Sequence, residues 1–195
     1  MKGIDTTASM LDYAQLLKKH GYDFVGRYIN APWKSVTLQE KNHLTDNGIK
    51  LIYIYEQDPT SASYFTDHQA SLDLYKSLDD ICSLEMTDED VIYYTVDYDA
   101  PDEDIPRIVE YFSTLISLVR HCRAIGYVFP GVGVYGSGAV ISAVREQYPM
   151  ISTWLAQSVG WRGYYDVKNV TIRQGGRDAN LPFDNDTDIL YDLIG

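Results

Sequence analysis

The stretch IYYTVDYDAP, residues 92–101, decides the fold class because it joins a strand pattern to an acidic end. Its first five residues are all β-branched or aromatic, which favours a pleated, half-buried strand. Two aspartates, Asp97 and Asp99, follow where an Ala-Pro pair would end that strand. Because aspartate is disfavoured inside strands, the pair indicates a specific role for these carboxylates at the strand's carboxyl end.

The segments on either side of this strand alternate between strand and helix patterns. Strands are predicted over 2–5, 23–30, 49–57, 91–99 and 131–138. A helical pattern follows each of them, over 10–21, 37–48, 61–79, 102–126 and 139–148. Three short strand-like segments come last, without room for full helices between them, over 152–158, 170–176 and 181–186.

This alternation favours an α/β fold with a parallel sheet. The total of eight strands favours closure over an open doubly wound sheet. We therefore predict a small TIM-like (β/α) barrel, with five helix-linked strands followed by three helix-poor strands. No glycine-rich phosphate motif follows any strand, which counts against a nucleotide site. At 195 residues, the chain is predicted to form a single domain over 1–195.

Charge and composition limit the partners. The formal net charge is −12, whereas binding to a nucleic-acid backbone needs a basic face. No window approaches the roughly 18 apolar residues of a membrane span, and the N-terminus lacks a Sec-type apolar segment. We expect a soluble protein, cytoplasmic or exported without a Sec signal peptide. Cys82 and Cys122 lack metal-ligand spacing, and no cofactor is implied.

The carboxyl ends of barrel strands meet at one mouth, where such folds carry their chemistry. The predicted strand ends supply the candidate site residues Asp5, Arg27, Tyr28, Glu56, Asp97, Asp99, Tyr135, Gln157, Gln174, Asp184 and Asp186. Each acid alone is explained as a helix cap or a turn residue. Their convergence at one end favours a functional site.

Asp97 and Asp99 are the most informative pair among these residues. Because side chains alternate along a strand, both are expected to face the same way, roughly 6.5–7 Å apart along the backbone. Close carboxyl groups do not both ionise freely, so one pKa should rise, as a general acid requires. Paired carboxyl groups are also the usual equipment for glycoside hydrolysis. Metal binding is an alternative use of clustered acids, although 184–188 lacks the glycine and glutamate of a calcium loop.

Short segments along the whole chain resemble one known family. They are GIDTT, FVGRYI, TLQEKNHLTDNGIKLIYIYE, YYTVDYDAP, GVYGSG, WLAQS and FDND. In this order they resemble the glycoside-hydrolase-like domains of unknown function DUF1906, the Rv2525c-like group. That family is similar in turn to the family 25 lysozymes, which share the plan of five helices and eight strands. The likeness runs from Gly3 to about Asp186.

The resemblance implies a glycosidase that acts on bacterial cell-wall glycan, with peptidoglycan as its carbohydrate substrate. Catalytic residues are expected among Asp5, Glu56, Asp97, Asp99 and Asp184. Substrate contacts are expected from the other strand-end residues, Arg27, Tyr28, Tyr135, Gln157 and Gln174. In this scheme Asp99 is the general acid, with its pKa raised by Asp97. Asp5 or Asp184 acts as the base or stabilises the transition state.

One departure from the lysozymes leaves alternatives open. They carry Asp-x-Glu where this chain has Asp97 and Asp99, and the shorter side chain displaces the proton donor. Glu56 is then the alternative acid. A catalytically inactive carbohydrate-binding module that uses the same cleft is the alternative function, with Trp33, Trp154 and Trp161 as candidate stacking platforms. A metal-dependent hydrolase of another substrate is the third possibility.

Overall fold

The computed structural model describes residues 1–191, and within them eight strands close into a barrel in sequence order. The strands are β1 (Lys2–Asp5), β2 (Phe24–Ile29), β3 (Lys50–Tyr55), β4 (Val91–Thr95), β5 (Gly131–Gly136), β6 (Ser152–Leu155), β7 (Ile172–Gln174) and β8 (Asp186–Leu190). The helices are α1 (Ala14–Lys19), α2 (Leu38–Asp46), α3 (Asp67–Ser83), α4 (Ile105–Ala124) and α5 (Gly138–Gln147). Each of the first five strands is followed by a helix, so the predicted TIM-like α/β barrel is confirmed.

The last strand runs against the others. Strands β1 to β7 pair in parallel, whereas β8 is antiparallel to both β7 and β1. The amino end of β8 therefore lies at the mouth formed by the carboxyl ends of the other strands. The register between β1 and β8 places Asp186 directly opposite Asp5.

The strand predicted over 181–186 is wrong, because β8 begins where that prediction ended. The preceding segment is a loop held by the side chain of Asn185. The Asn185 amide nitrogen donates to the carbonyls of Phe183 and Asp178, and its oxygen accepts from the Asp178 N–H. The ring of Phe183 packs 4.8 Å from the ring of Tyr13. These contacts replace the ladder that a strand would need.

Strand β4 is also shorter than the predicted 91–99. Val96 still donates to the Tyr135 carbonyl of β5, but the Asp97 N–H turns away and donates to the carbonyl of Pro59 at 2.9 Å. Asp97 and Asp99 thus lie beyond the sheet. Helix α3 starts later than the predicted 61–79, because the Thr66 hydroxyl caps it by accepting from the Gln69 N–H.

The barrel interior is closed below the mouth. Large inward-facing side chains fill it, namely Phe24, Ile52, Ile54, Tyr93, Trp154 and Ile172. Gly26 of β2 leaves room for the largest of them, since a Cβ there would lie 2.5 Å from the Trp154 ring. The inward acidic side chains are therefore confined to the layer above this filling, at the mouth.

Candidate active site

A layer of polar side chains lies directly above the apolar filling of the barrel. β1 contributes Asp5, β7 contributes Gln174 and β8 contributes Asp188, and all three are buried. Tyr28 of β2 and Tyr135 of β5 lie partly exposed beside them and pack on the apolar layer. Alternation along each strand turns these side chains inward, so residues far apart in sequence meet at one place.

Gln174 links three sides of this layer. Its Oε1 accepts from the Tyr135 hydroxyl at 2.9 Å and from the Gln157 backbone N–H at 3.1 Å. Because Oε1 is occupied by these two donors, the amide orientation is fixed. Its Nε2 donates to Asp5 Oδ2 at 2.7 Å. Gln174 therefore positions Asp5, whereas the sequence predicted a substrate contact for it.

Asp5 and Asp188 form a buried pair of carboxyl groups. Trp154 Nε1 donates to Asp188 Oδ1 at 2.9 Å, while Asp188 Oδ2 accepts from no N–H or O–H donor within residues 1–191. Burial raises the pKa of Asp5 to about 7, with the Gln174 hydrogen bond opposing. Burial, followed by the charge of Asp5, raises the pKa of Asp188 well above its usual range. The pair therefore retains a proton near neutral pH.

A second group of charges lies at the rim, nearer to solvent. Lys34 Nζ lies 3.4 Å from Glu56 Oε1 and 3.8 Å from the centre of the Tyr28 ring. Asp97 is open to solvent on one side, and partial burial raises the pKa of its carboxyl group while Lys34 opposes that rise. Glu56 and Asp97 thus contribute accessible carboxylates above the protonated pair.

The structure does not bring Arg27 to the mouth. Its neighbour Tyr28 faces inward, so Arg27 faces the outer side of β2 and is only 1% exposed. Arg27 Nε donates to Glu40 Oε1 at 2.7 Å, and Nη1 donates to the carbonyl of Thr6 at the same distance. The expected sugar contact is therefore replaced by a buried ion pair that joins α2 to the barrel.

Asp99 does not share a face with Asp97 in the way the strand pattern predicted. Its Oδ1 accepts from the Arg162 backbone N–H at 2.9 Å and lies 3.7 Å from the Arg162 Nε. The same guanidinium also donates to Asp102 and to the Ala100 carbonyl. These contacts connect the chain after β4 with the chain after β6, and they engage the carboxylate that the sequence had assigned as the general acid.

Asp184 is exposed and precedes the last strand, and its backbone carbonyl accepts from the Thr6 hydroxyl. The acids that β8 brings into the barrel are Asp186 and Asp188. Burial raises the pKa of Asp186, and the Gln157 side chain opposes that rise. The alternating Asp-x-Asp of 186–188 was the available sequence signal, but it is informative only once the strand is known to be reversed.

The arrangement suits acid–base chemistry. Asp5 retains a proton near neutral pH, Asp97 offers an accessible carboxylate, and Tyr28, Tyr135 and Gln157 surround them with neutral polar groups. A carboxyl group with a raised pKa and an accessible carboxylate at one mouth are the kinds of group that glycoside cleavage uses. Among the described residues 1–191, no three His, Cys, Asp or Glu side chains are grouped to hold a metal ion.

The family model for the Rv2525c-like, glycoside hydrolase-like domain matches residues 15–188. Among curated proteins, the chain is 26% identical over 193 residues to the uncharacterized protein FadG of Bacillus subtilis (strain 168). That match covers 90% of this chain but 33% of FadG. The uncharacterized protein YbfG of the same organism is 29% identical over 133 residues, which cover 63% of this chain and 18% of YbfG. The chain thus spans a third or less of these relatives.

Solved structures share the fold at low sequence identity. The Tat-secreted protein Rv2525c of Mycobacterium tuberculosis, in complex with L-tartrate, has a TM-score of 0.77 at 17% identity, covering 98% of this chain and 96% of that one. A family 25 glycosyl hydrolase from Bacillus anthracis has a TM-score of 0.60 at 13% identity, covering 100% and 90%. In the part of the chain that the structure describes, no helix combines the length and apolarity needed to span a bilayer.

Proposed function

The chain belongs to the Rv2525c-like, glycoside hydrolase-like domain family, and we propose that it cleaves glycosidic bonds in bacterial cell-wall glycan of the peptidoglycan type. The family assignment supports a glycoside substrate. Two neighbours of the same fold support the choice of glycan: a muramidase from Trichobolus zukalii, and the autolysin LytC of Streptococcus pneumoniae, solved with a synthetic peptidoglycan ligand.

The observation that carries this proposal is the buried pair of carboxyl groups, Asp5 and Asp188, beneath an open mouth lined by carboxylates, because burial raises both pKa values. In the proposed reaction, Asp5 donates its proton to the glycosidic oxygen as the bond between the anomeric carbon and that oxygen breaks. Ionised Asp97 stabilises the positive charge that develops on the sugar and accepts a proton from the water that adds to the anomeric carbon. The leaving sugar departs with a free hydroxyl group.

The remaining residues of the mouth take supporting roles in this proposal. Tyr28, Tyr135 and Gln157 orient the sugar from the partly exposed layer, and Glu56 offers an additional accessible carboxylate. Gln174 is a positioning residue that acts through Asp5. Asp186 keeps the mouth acidic next to Asp5, in the place first expected for Asp184. Asp99 orders the adjacent chain through Arg162.

The test is digestion of defined peptidoglycan by the wild type and by Asp97→Asn, followed by mass spectrometry. We expect new reducing ends with the wild type and a loss of about a hundredfold or more in the variant, because a positioned acid or base contributes roughly 10²–10⁴ in rate. Asp12→Asn is the matched control, since it removes an exposed carboxylate from the α1 side of the molecule. Equal rates for wild type and Asp97→Asn would contradict the proposal.

A carbohydrate-binding module is the second candidate. The observation that favours it is the engagement of Asp99 by Arg162, because Asp99 stands where the family 25 lysozymes carry their acid. Glycan that binds to the mouth, is released intact after prolonged incubation and still requires the mouth residues would establish this alternative. In either case we propose that the substrate is met after export by a route other than Sec, since the related fold of Rv2525c is Tat-secreted.

A further inference from the structure

The loop between β2 and α2, residues 30–36, is a rigid part of the rim. The Asn30 N–H donates to Asp80 Oδ2 at 2.7 Å, and Asn30 adopts a left-handed φ of +53°. The Ala31 N–H donates to the Ser35 hydroxyl at 2.7 Å, and the Val36 N–H returns to the Tyr28 carbonyl at 2.9 Å. Because these bonds fix the loop in the free protein, binding of a ligand to it costs little conformational entropy for ordering the loop.

Trp33 stands on this fixed loop with 76% of its surface exposed. The other two tryptophans differ, since Trp154 is fully buried and Trp161 is half-buried. An isolated exposed apolar residue is common on protein surfaces. The indole of Trp33 is distinguished by its place, because the loop starts at the carboxyl end of β2, where the mouth opens.

Lys34 connects the indole to the mouth. Its side chain is largely covered, at 8% exposure, and its Nζ lies 5.5 Å from the centre of the Trp33 ring and 3.8 Å from that of Tyr28. Within residues 1–191 the ammonium forms the 3.4 Å ion pair with Glu56 and no hydrogen bond. Its N–H groups are therefore available to a polar ligand atom on the mouth side.

We propose that Trp33, with Lys34 and Glu56 beside it, forms an outer subsite that takes an uncharged sugar ring of a longer glycan. The indole face would cover the C–H face of the ring, and the Lys34 ammonium and Glu56 carboxylate would bond its hydroxyls. This inference rests on the proposed glycan substrate and deepens it, because it specifies which ring of an alternating polymer lies at the rim.

The charge balance selects an uncharged ring over a carboxylated one. Lys34 supplies one positive charge, whereas Glu56 at 3.4 Å and Asp97 nearby supply two negative charges. Asp186 adds a further acidic group deeper in the mouth, whereas protonated Asp5 adds no charge. A carboxylated sugar placed on Trp33 would meet net negative charge, and like charges brought together disfavour binding.

The test compares two tetrasaccharides by calorimetry on the Asp5→Asn background, so that turnover does not interfere. Chitotetraose here is the fully N-acetylated tetrasaccharide, which carries no charge, whereas the hyaluronan tetrasaccharide alternates uncharged and carboxylated rings. We expect chitotetraose to bind at least about fivefold more tightly, and Trp33→Ala to weaken it about tenfold. Glu56→Gln should reduce the difference in affinity between the two tetrasaccharides, because it removes one negative charge. Tyr75→Ala, which truncates an exposed aromatic residue of α3, is the matched control and should leave both affinities unchanged.

Tryptophan emission gives a second readout. Covering Trp33 should shift the emission to shorter wavelength, and Trp33→Phe should abolish that shift. Unchanged affinity in Trp33→Ala, or equal affinity for the two tetrasaccharides, would overturn the subsite even if the wild type cleaves peptidoglycan. Conversely, Trp33-dependent binding of chitotetraose without any cleavage by the wild type would support the subsite while the proposed hydrolysis fails.

Discussion

Two buried carboxylate centres in this barrel are built in opposite ways. Asp73 of α3 is fully buried and accepts from four donors: the hydroxyls of Tyr55, Tyr64 and Tyr111 at 2.9, 2.7 and 2.6 Å, and the Gln69 amide at 2.7 Å. Asp5 and Asp188 face each other, and among residues 1–191 each accepts one hydrogen bond from outside the pair. Asp73 therefore ties α3 to β3 and α4, whereas burial with few donors raises the pKa of both acids at the mouth.

The largest expected effect tests the proton of the donor-poor centre. Asp5→Asn should lower the rate of peptidoglycan cleavage about a thousandfold, because the proposed proton donor is lost. The fold should survive, since an asparagine accepts from Gln174 with its oxygen and donates to Asp188 with its nitrogen. The measurement is the initial rate by mass spectrometry, with the melting temperature recorded alongside. A variant that cleaves at the wild-type rate would remove Asp5 from the mechanism.

Asp73→Asn should lower stability and leave activity unchanged, the opposite of the result expected for Asp5→Asn. The amide introduced by this substitution would accept fewer of the three tyrosine hydroxyls and present N–H groups to others, so we expect a loss of about 3 kcal/mol in the free energy of unfolding. Activity per folded molecule should be retained, because Asp73 lies on the outer side of β3, away from the mouth. Urea unfolding and rates normalised to folded protein separate the two quantities. A loss of activity with unchanged stability would contradict the assignment of Asp73 to stability and of Asp5 to catalysis.

The pH dependence of stability sharpens the comparison further. Folded Asp5 holds its proton up to about pH 7, whereas the unfolded chain loses it near 3.8. Between these values the folded state binds more protons, so the free energy of unfolding should fall as pH rises, by on the order of 4 kcal/mol. Asp188, whose pKa is also raised, extends the fall to higher pH.

Urea midpoints at pH 4.5 and 7.5 provide the measurement. Asp188→Asn should flatten the slope, because one of the two facing carboxyl groups is gone and the remaining one no longer meets a like charge. Asp12→Asn, which alters an exposed acid, should keep the wild-type slope. Stability that is constant across this interval in the wild type would mean that the pair does not hold its proton.

Local sequence patterns predict the barrel, but they do not predict the parts of the candidate site that depend on pairing between distant strands. The strand–helix alternation and the inward place of Asp5 follow from periodicity. Arg27 and Tyr28 were expected together at the mouth, although neighbours on a strand face opposite sides, so alternation alone allowed only one. The reversal of β8, which brings Asp186 and Asp188 to Asp5, depends on pairing across the whole chain and has no local signal.

The smallest expected effect concerns Gln174, whose amide donates to Asp5. Gln174→Leu removes the bond that opposes the rise in the pKa of Asp5, so this pKa should move higher and the alkaline limb of the activity profile, where the proton donor is lost, should move to higher pH. The free energy of unfolding should fall by about 1 kcal/mol, since the Tyr135 hydroxyl and the Gln157 N–H lose their acceptor.

A shift in the pH profile distinguishes positioning from simple loosening, which would lower the rate equally at every pH. The same shift should be visible without glycan, in the titration of the Asp5 carboxyl carbon by NMR. Gln174→Glu is the informative companion, because it keeps the acceptor for Tyr135 but places a third carboxyl group against Asp5. It should raise the pKa of Asp5 further than Gln174→Leu does. An unmoved titration in both variants would show that Gln174 holds the barrel wall together and leaves the proton of Asp5 unaffected.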